Sequence, residues 1–257
     1  MQLIQNTLSR FVSSGQIAGC AVKILRNDSV LYEGSFGFAD IEKQVKMSSE
    51  NTIFPIASMS KVVTTAAVMQ LYEQGLFKMW DPVSEYLPGF KSPKVAEENP
   101  DGSYEIVDAK GEVTMRQLFT MTSGVPYNWA DTAAGRIRIE KEKEYRESGK
   151  PFPGAVEYAN LVGQLPLAFE PGERWMYGFS IDVLGAVLEV ITGKSLGVNM
   201  AHPKSLAKIL SPVLDVPESE LLTAIEKARR ELEYVPSHTP EDAIEEAAFW
   251  AAKQAGL

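Results

Sequence analysis

Apolar residues recur with two different periods along the first part of the chain. Between Leu3 and Val12 they return every three to four residues, and Gly15 follows as a stop signal, which predicts an N-terminal helix. The segments 18–25 and 29–36 are instead rich in β-branched and aromatic residues, and a short polar turn joins them. These segments predict a helix that packs against an antiparallel hairpin.

The longest stretch with helical composition follows Ser58 and ends before Gly75. Serine is favoured at the N-cap of a helix and glycine just after its last residue, so we predict a helix that begins at Ser58. Lys61 then lies about one turn further along the same face, within reach of the Ser58 hydroxyl. Such a lysine can accept the proton of a serine nucleophile if burial beside the helix N-terminus lowers its pKa.

This serine and lysine spacing is not sufficient by itself. Ser205 and Lys208 have the same spacing within an ordinary amphipathic segment. A serine that caps a helix and a lysine that is solvated produce the pattern equally well. Only the surrounding sequence can favour the catalytic interpretation.

Most of the remaining apolar segments are also typical of helices. Helical spacing and turn signals place them at residues 80–90, 114–118, 153–165, 182–192, 203–214, 218–234 and 240–255. Segment 91–111 differs, because the turn sequence at 99–102 lies between short polar runs and predicts an exposed hairpin. The charged run from Arg136 to Lys150 is typical of a solvated helical face.

Composition limits the classes of function. The chain has 257 residues, of which 45% are apolar, enough for a sizeable core, and its formal net charge is −9. Because there is no basic run, nucleic acid and anionic membranes are not expected as partners, and a small molecule is the expected ligand. Cys20 is the only cysteine, which excludes an internal disulfide, and His202 and His238 lack the spacing of metal ligands.

The sequence also gives an expectation for the compartment. No segment approaches the length of a membrane span, and the N-terminus lacks the charged and apolar regions of a secretion signal. A cytoplasmic location is therefore expected. A periplasmic or secreted protein from which a signal had been removed would show the same features.

Several short motifs surround Ser58 and follow one another in a specific order. They are Ser58-Met-Ser-Lys61, Asp81-Pro82-Val83 with Leu87-Pro88, the segment Val113 to Gly124, Pro171-Gly172 with Trp175-Met-Tyr177, and Asp182-Val-Leu-Gly185 with Thr192-Gly-Lys-Ser-Leu196. This combination resembles the serine β-lactamase and penicillin-binding protein superfamily, and within it the class C β-lactamase and carboxylesterase branch. The resemblance implies an α+β, β-lactamase/transpeptidase-like fold with an antiparallel sheet flanked by helices and a helical subdomain. It also implies a serine hydrolase that forms an acyl-enzyme on an ester or amide, without a metal or organic cofactor.

The resemblance also implies roles for individual residues. By position, Ser58 is similar to the acylated nucleophile, Lys61 to its proton acceptor, and Tyr177 to the tyrosine that passes a proton to the leaving group. From the residues alone, Tyr177 fits equally well as an aromatic side chain that packs between Trp175 and Phe179.

Four further residues are candidates for substrate binding: Tyr127, Trp129, Trp175 and Ser180. For Tyr127 and Trp129, ordinary packing explains an aromatic side chain as well as a pocket does. Phe179 stands where the lactamases of the family usually have asparagine. This difference favours an esterase-like site over a site that recognises β-lactams.

The resemblance covers residues 1–196 and then stops. The family has a later Lys-Thr-Gly or His-x-Gly motif, which supplies the second backbone N–H for the oxyanion, and no such triplet follows Leu196. We therefore predict a hydrolase region at 1–197 with its C-terminal strands missing, and a helical tail at 198–257. An incomplete sheet would leave a hairpin edge open to the tail or to another chain, which predicts self-association.

Two other classes of protein are alternatives to this interpretation. A Ser-His-Asp hydrolase requires an elbow such as G-x-S-x-G, which is absent. The second alternative is a non-catalytic protein, truncated or fused, that keeps part of the fold as a binding or scaffold module. A chain without the third motif is expected to be a slow esterase at best.

Overall fold

The computed structural model describes residues 1–26 and 29–196. The chain forms two compact units, the first comprising residues 1–56 and the second beginning at Ala57. The predicted domain boundary after residue 197 and the three predicted tail helices lie outside the described residues.

The first unit is a helix followed by a small antiparallel sheet. Its elements are α1 (Gln2–Ser13), β1 (Gly19–Arg26), β2 (Ser29–Asp40) and β3 (Val45–Lys46). The strands are ordered β1-β2-β3, and α1 contacts both strands of the hairpin. The predicted helix and hairpin are therefore confirmed.

None of the described residues of the first unit is buried. Large apolar side chains remain exposed on the helix and on both long strands, among them Leu3 at 78% and Leu25 at 59%. Among the described residues, β1 pairs with β2 alone, so its other edge offers unpaired backbone groups. Self-association through this edge stays a prediction.

The second unit contains the main hydrophobic core. Its helices are α2 (Ser60–Glu73), α3 (Met115–Phe119), α4 (Ala133–Glu147), α5 (Ala155–Gly163) and α6 (Ser180–Thr192), and its hairpin consists of β4 (Lys94–Glu98) and β5 (Tyr104–Asp108). Fully buried core side chains include Val68, Leu87, Phe90, Met115, Leu118, Leu184 and Val187. Helix α6 packs against α2, α3 and α5, so the start of α6 is fixed relative to the start of α2. The fold is α+β, as predicted.

The short helix and the turn predicted within 80–90 are instead two 3-10 turns, Val83–Glu85 and Pro88–Phe90. Prolines at positions 82 and 88 explain the difference, because proline has no N–H to continue a helical hydrogen-bond ladder. The two turns are nevertheless well packed, since Val83 and Phe90 are both buried.

The predicted hairpin at 91–111 is present, but it is not exposed throughout. Val95 and Ala96 on β4 are buried. The Ala96 N–H donates to the Leu167 carbonyl at 2.9 Å, so β4 is tied to the segment that follows α5. Backbone pairing with the segment around Leu167 therefore buries part of β4, although the sequence around this strand is polar.

The charged run of α4 is mostly solvated, with one exception. Arg138 is 2% exposed, whereas its neighbours in the run lie at the surface or are partly exposed. The prediction of a purely solvated face is therefore wrong at this position. None of the helices in the described part of the chain combines the length and the apolar character that crossing a bilayer requires.

Candidate active site

Ser58 lies in a 3-10 turn, Ala57–Met59, that leads directly into α2. The N-cap of α2 is Met59, so the prediction that Ser58 caps the helix is wrong by one residue. Ala57 has a φ of 44°, which is unfavourable for a residue with a Cβ. Backbone strain of this kind costs about 1–3 kcal/mol and is often found at functional sites. The Ser58 side chain is left exposed at the start of the helix.

Lys61 faces Ser58, as the helical spacing predicts. Its Nζ donates a long hydrogen bond to the Ser58 Oγ at 3.4 Å, and its side chain is half-buried. Because both residues belong to one continuous turn, their contact depends on local geometry alone.

Two loops bring aromatic rings to Lys61. Pro126 and Gly178 form an antiparallel bridge between the loop after α3 and the loop before α6, and the Phe179 N–H donates to the Val125 carbonyl at 3.3 Å. The residues next to this bridge are Tyr127 and Tyr177. Their ring centres lie 5.6 Å apart.

The Lys61 Nζ lies near the rings of both tyrosines. It is 5.4 Å from the ring centre of Tyr127 and 5.3 Å from that of Tyr177. Cation and ring are within the distance at which they attract each other. The structure thus brings together Ser58, Lys61, Tyr127 and Tyr177, of which Tyr127 was expected only as a substrate-binding residue.

The pKa of Lys61 is raised, not lowered. Burial favours the neutral amine, but the contact with the Tyr127 hydroxyl and the negative charge of Asp182 together outweigh it. The predicted lowering of this pKa by burial is therefore wrong for the resting site. The resting Lys61 is an ammonium group, and the same contact with Lys61 partly offsets the rise that burial causes in the pKa of Tyr127.

Asp182 is the acidic residue that sequence analysis did not assign to the site. It lies in the first turn of α6, where it is exposed to solvent although the residues on either side of it are buried. Burial raises its pKa, while the charges of Lys61 and Arg138 lower it. An acidic residue in the first turn of a helix is common for reasons of the helix dipole, so the sequence offered no distinctive signal.

Trp129 and Trp175 lie beside the two tyrosines and are largely exposed. Their exposed fractions are 58% and 64%. The Trp129 ring meets Tyr127 edge-on at 4.2 Å, and the Trp175 ring lies 6.4 Å from Tyr177. Both therefore lie next to the tyrosines that approach Lys61, and their substrate-binding role stays a prediction.

Ser180 is placed differently from the other candidates. It is 1% exposed, and its Oγ is 2.8 Å from the Oγ of Ser123. The hydroxyl is thus used to join the start of α6 to the loop after α3, and the expectation that Ser180 contacts substrate is not supported. Among residues 1–26 and 29–196, no three His, Cys, Asp or Glu side chains form a metal-binding group.

Comparison with known proteins identifies relatives of this chain. Esterase EstB of Burkholderia gladioli is 33% identical over 185 residues, which are 70% of this chain and 43% of that protein. Among solved structures, EstCE1, a hydrolase with promiscuous acyltransferase activity, is 30% identical to this chain, with a TM-score of 0.61. The match covers 77% of this chain and 49% of the EstCE1 chain.

Unliganded simvastatin synthase (LovD) from Aspergillus terreus is 25% identical with a TM-score of 0.63. The match covers 80% of this chain and 52% of that one. The chain therefore spans about half the length of the relatives that it matches.

The Beta-lactamase family model matches residues 4–241, and so extends beyond Leu196, the last residue of the motifs. This match covers most of the sequence, and it includes Ser58, Lys61 and both tyrosines. The chain belongs to the Beta-lactamase family.

Proposed function

We propose that this chain is the nucleophile-bearing part of a serine hydrolase that forms an acyl-enzyme at Ser58 on an ester substrate. The observation that supports this proposal best is the 3.4 Å contact between Lys61 Nζ and Ser58 Oγ, with the ring centres of Tyr127 and Tyr177 lying 5.4 Å and 5.3 Å from the amine. A serine becomes nucleophilic when an adjacent base accepts its proton. The family relatives include an esterase and a hydrolase with acyltransferase activity.

In the proposed reaction, Lys61 must first lose a proton to bulk water, since the resting ammonium cannot accept one. Entry of a substrate removes water from the half-buried amine, and this desolvation favours the neutral form. The neutral amine then accepts the Ser58 hydroxyl proton while the Oγ attacks the ester carbonyl carbon. The tetrahedral oxyanion collapses, the bond to the alcohol breaks, and the alcohol oxygen takes a proton.

The proton for the leaving alcohol comes from Lys61 through a tyrosine hydroxyl. The family resemblance gives this role to Tyr177, whereas Tyr127 makes the direct hydroxyl contact with Lys61. Water or a second alcohol then attacks the acyl-enzyme, loses its proton along the same path and restores free Ser58. Attack by water releases the acid, and attack by an alcohol releases a new ester. The two candidate relay tyrosines are distinguished by substitution.

The residues around the site favour an ester with an apolar or aromatic part. Four aromatic rings lie next to Lys61 or its tyrosines: Tyr127, Trp129, Trp175 and Tyr177. Phe179 packs at 4.3 Å against Tyr127, at the position where lactamases of the family usually have asparagine. Useful hydrolysis of β-lactams is therefore not expected.

The rate of the chain by itself is expected to be low. Two N–H donors normally stabilise the oxyanion, and the loss of one costs about 10² to 10³ in rate. The Ser58 amide can be one donor, and no family triplet for the second follows Leu196 in this sequence. We therefore propose slow turnover of activated esters.

Labelling with a fluorophosphonate probe tests the proposal directly. The parent chain should be labelled on Ser58, as located by mass spectrometry, and Ser58→Ala should abolish labelling and p-nitrophenyl ester turnover. Ser60→Ala is a matched control, since Ser60 is an exposed serine two residues further along. Labelling that persists in Ser58→Ala would contradict the assignment, and efficient nitrocefin hydrolysis would contradict the esterase proposal.

The alternative, a binding or scaffold module, makes the opposite prediction. A scaffold keeps the fold but is not labelled on Ser58 by the probe. A parent chain that melts cooperatively and remains unlabelled would favour this alternative.

A further inference from the structure

Arg138 is a buried cation within the charged and mostly solvated run of α4. It is 2% exposed, and a charge at this depth is tolerated only when it is paired and hydrogen-bonded. It therefore has a specific set of partners in the interior of the second unit.

The guanidinium group of Arg138 contacts three different segments. Its Nε donates to Glu142 Oε1 at 3.0 Å, its Nη2 to the Tyr158 hydroxyl at 3.2 Å, and its Nη1 to the Pro126 carbonyl at 3.4 Å. Its Cζ also lies 3.8 Å from the ring centre of Phe179. The planar fork of arginine suits several such contacts at once.

Glu142 completes the same network. Its Oε1 also accepts from the Tyr158 hydroxyl at 2.9 Å, and its Oε2 accepts from Asn128 Nδ2 at 2.8 Å. Both carboxylate oxygens are therefore used, and the pair connects α4 with α5 and with the loop after α3.

The residues held by this ion pair lie within two residues of the active-site tyrosines in sequence. Pro126 and Asn128 flank Tyr127 on both sides, and Phe179 is two residues after Tyr177. The bridge between Pro126 and Gly178 joins the two loops to each other. A shift of the ion pair would therefore move both tyrosines relative to Lys61.

We propose that Arg138 and Glu142 are positioning residues that hold the Tyr127 and Tyr177 loops in the geometry that the reaction at Ser58 requires. This inference rests on the proposed function, because it assigns a role within the same site. The pair does not touch the reacting atoms and acts through Pro126, Asn128 and Phe179.

The experiment separates positioning from stability by means of a double variant. Arg138→Met leaves Glu142 without its cation and should lower both the melting temperature and the rate. In Arg138→Met/Glu142→Leu, two apolar side chains replace the pair, and such replacement of a buried ion pair is often neutral or stabilising. The double variant should regain thermal stability, but its labelling rate at Ser58 should stay about 10²-fold below that of the parent, because a displacement of about 1 Å can cost that much.

Two further variants complete the series. Arg136→Met removes an exposed arginine from the same helix and should leave the labelling rate unchanged. Arg138→Lys keeps the charge but loses the fork, so it should fold and still label slowly. It provides the measurement if the double variant does not fold.

A spectroscopic readout reports the loop without any reaction. The edge-on Tyr127 and Trp129 pair should give a near-ultraviolet circular dichroism band, identified by its loss in Trp129→Phe. This band should change in the double variant and in Arg138→Lys, and stay as in the parent in Arg136→Met.

The possible results are distinguishable. A double variant that regains stability, labelling rate and the dichroism band together would overturn the positioning role and leave the pair purely structural. An unlabelled parent would refute the proposed function, while the dichroism band would still decide whether the pair holds the Tyr127 loop.

Discussion

Gly178 lies at the bridge that joins the two tyrosine loops. A Cβ placed on it would lie 2.1 Å from the Val125 carbonyl oxygen and 3.3 Å from the Pro126 Cα. The first distance is 0.9 Å shorter than the 3.0 Å below which real Cβ atoms are essentially never found. Gly178→Ala should therefore separate the loops by about 1 Å.

The expected cost follows from this displacement. A misplacement of about 1 Å can slow a reaction about 10²-fold, which corresponds to about 2.7 kcal/mol in the activation free energy. Overpacking of this kind also lowers the free energy of unfolding by about 1–3 kcal/mol. The φ of Gly178 lies outside the left-handed region, so the effect is steric and does not come from backbone strain.

The assay is the rate of fluorophosphonate labelling at Ser58, divided by the folded fraction from thermal melting. Gly111→Ala is the matched control, because a Cβ there meets no atom within 4 Å and its φ is also outside the left-handed region. This control should label like the parent and be unchanged or slightly more stable. A Gly178→Ala variant that labels at the parent rate would refute the reasoning that the paired loops position the tyrosines.

Other predictions concern the groups around Lys61. Lys61→Arg should not turn over p-nitrophenyl esters, because guanidinium stays protonated, and turnover by this variant would exclude Lys61 as the base. Because the reaction requires the neutral amine and the pKa of Lys61 is raised, the labelling rate should rise about tenfold per pH unit between about pH 7 and pH 9. A labelling rate that does not change with pH would contradict the role of Lys61 as the base. Asp182→Asn removes a negative charge that raises the pKa of Lys61, so the labelling rate should rise at lower pH than in the parent and should be faster at pH 8. Slower labelling at pH 8 would show that Asp182 acts in another way. Tyr127→Phe and Tyr177→Phe should each be assayed for ester turnover, and the residue that passes the proton is the one whose loss slows turnover by about 10² to 10⁴; parent rates in both would exclude a tyrosine relay.

The sequence by itself determined the local elements of this protein. Helical spacing predicted α1 and most of α6, and β-rich composition with a polar turn predicted the hairpin of β1 and β2, because each depends on contacts between residues close in the chain. The facing of Ser58 and Lys61 is also local, since three residues make about one helical turn. Motif order was sufficient for the family.

The tertiary structure decided the protonation state and the aromatic surroundings of the nucleophile. The charge of Asp182 and the hydroxyl of Tyr127 come from segments far along the chain, and they reverse the pKa shift that burial alone predicts for Lys61. Ser180, a candidate ligand contact in sequence, becomes a buried link to Ser123 for the same reason.

Arg138 shows the limit of the sequence most clearly. Within a run of alternating charges nothing distinguishes it from Arg136, yet one is buried under the tyrosine loops and the other is solvated. Burial is decided by which elements pack together, and that packing depends on contacts between residues distant in sequence. Helical periodicity gives the face on which Arg138 lies, but only its contacts with Tyr158 of α5 and with the two loops show that this charge is turned inward.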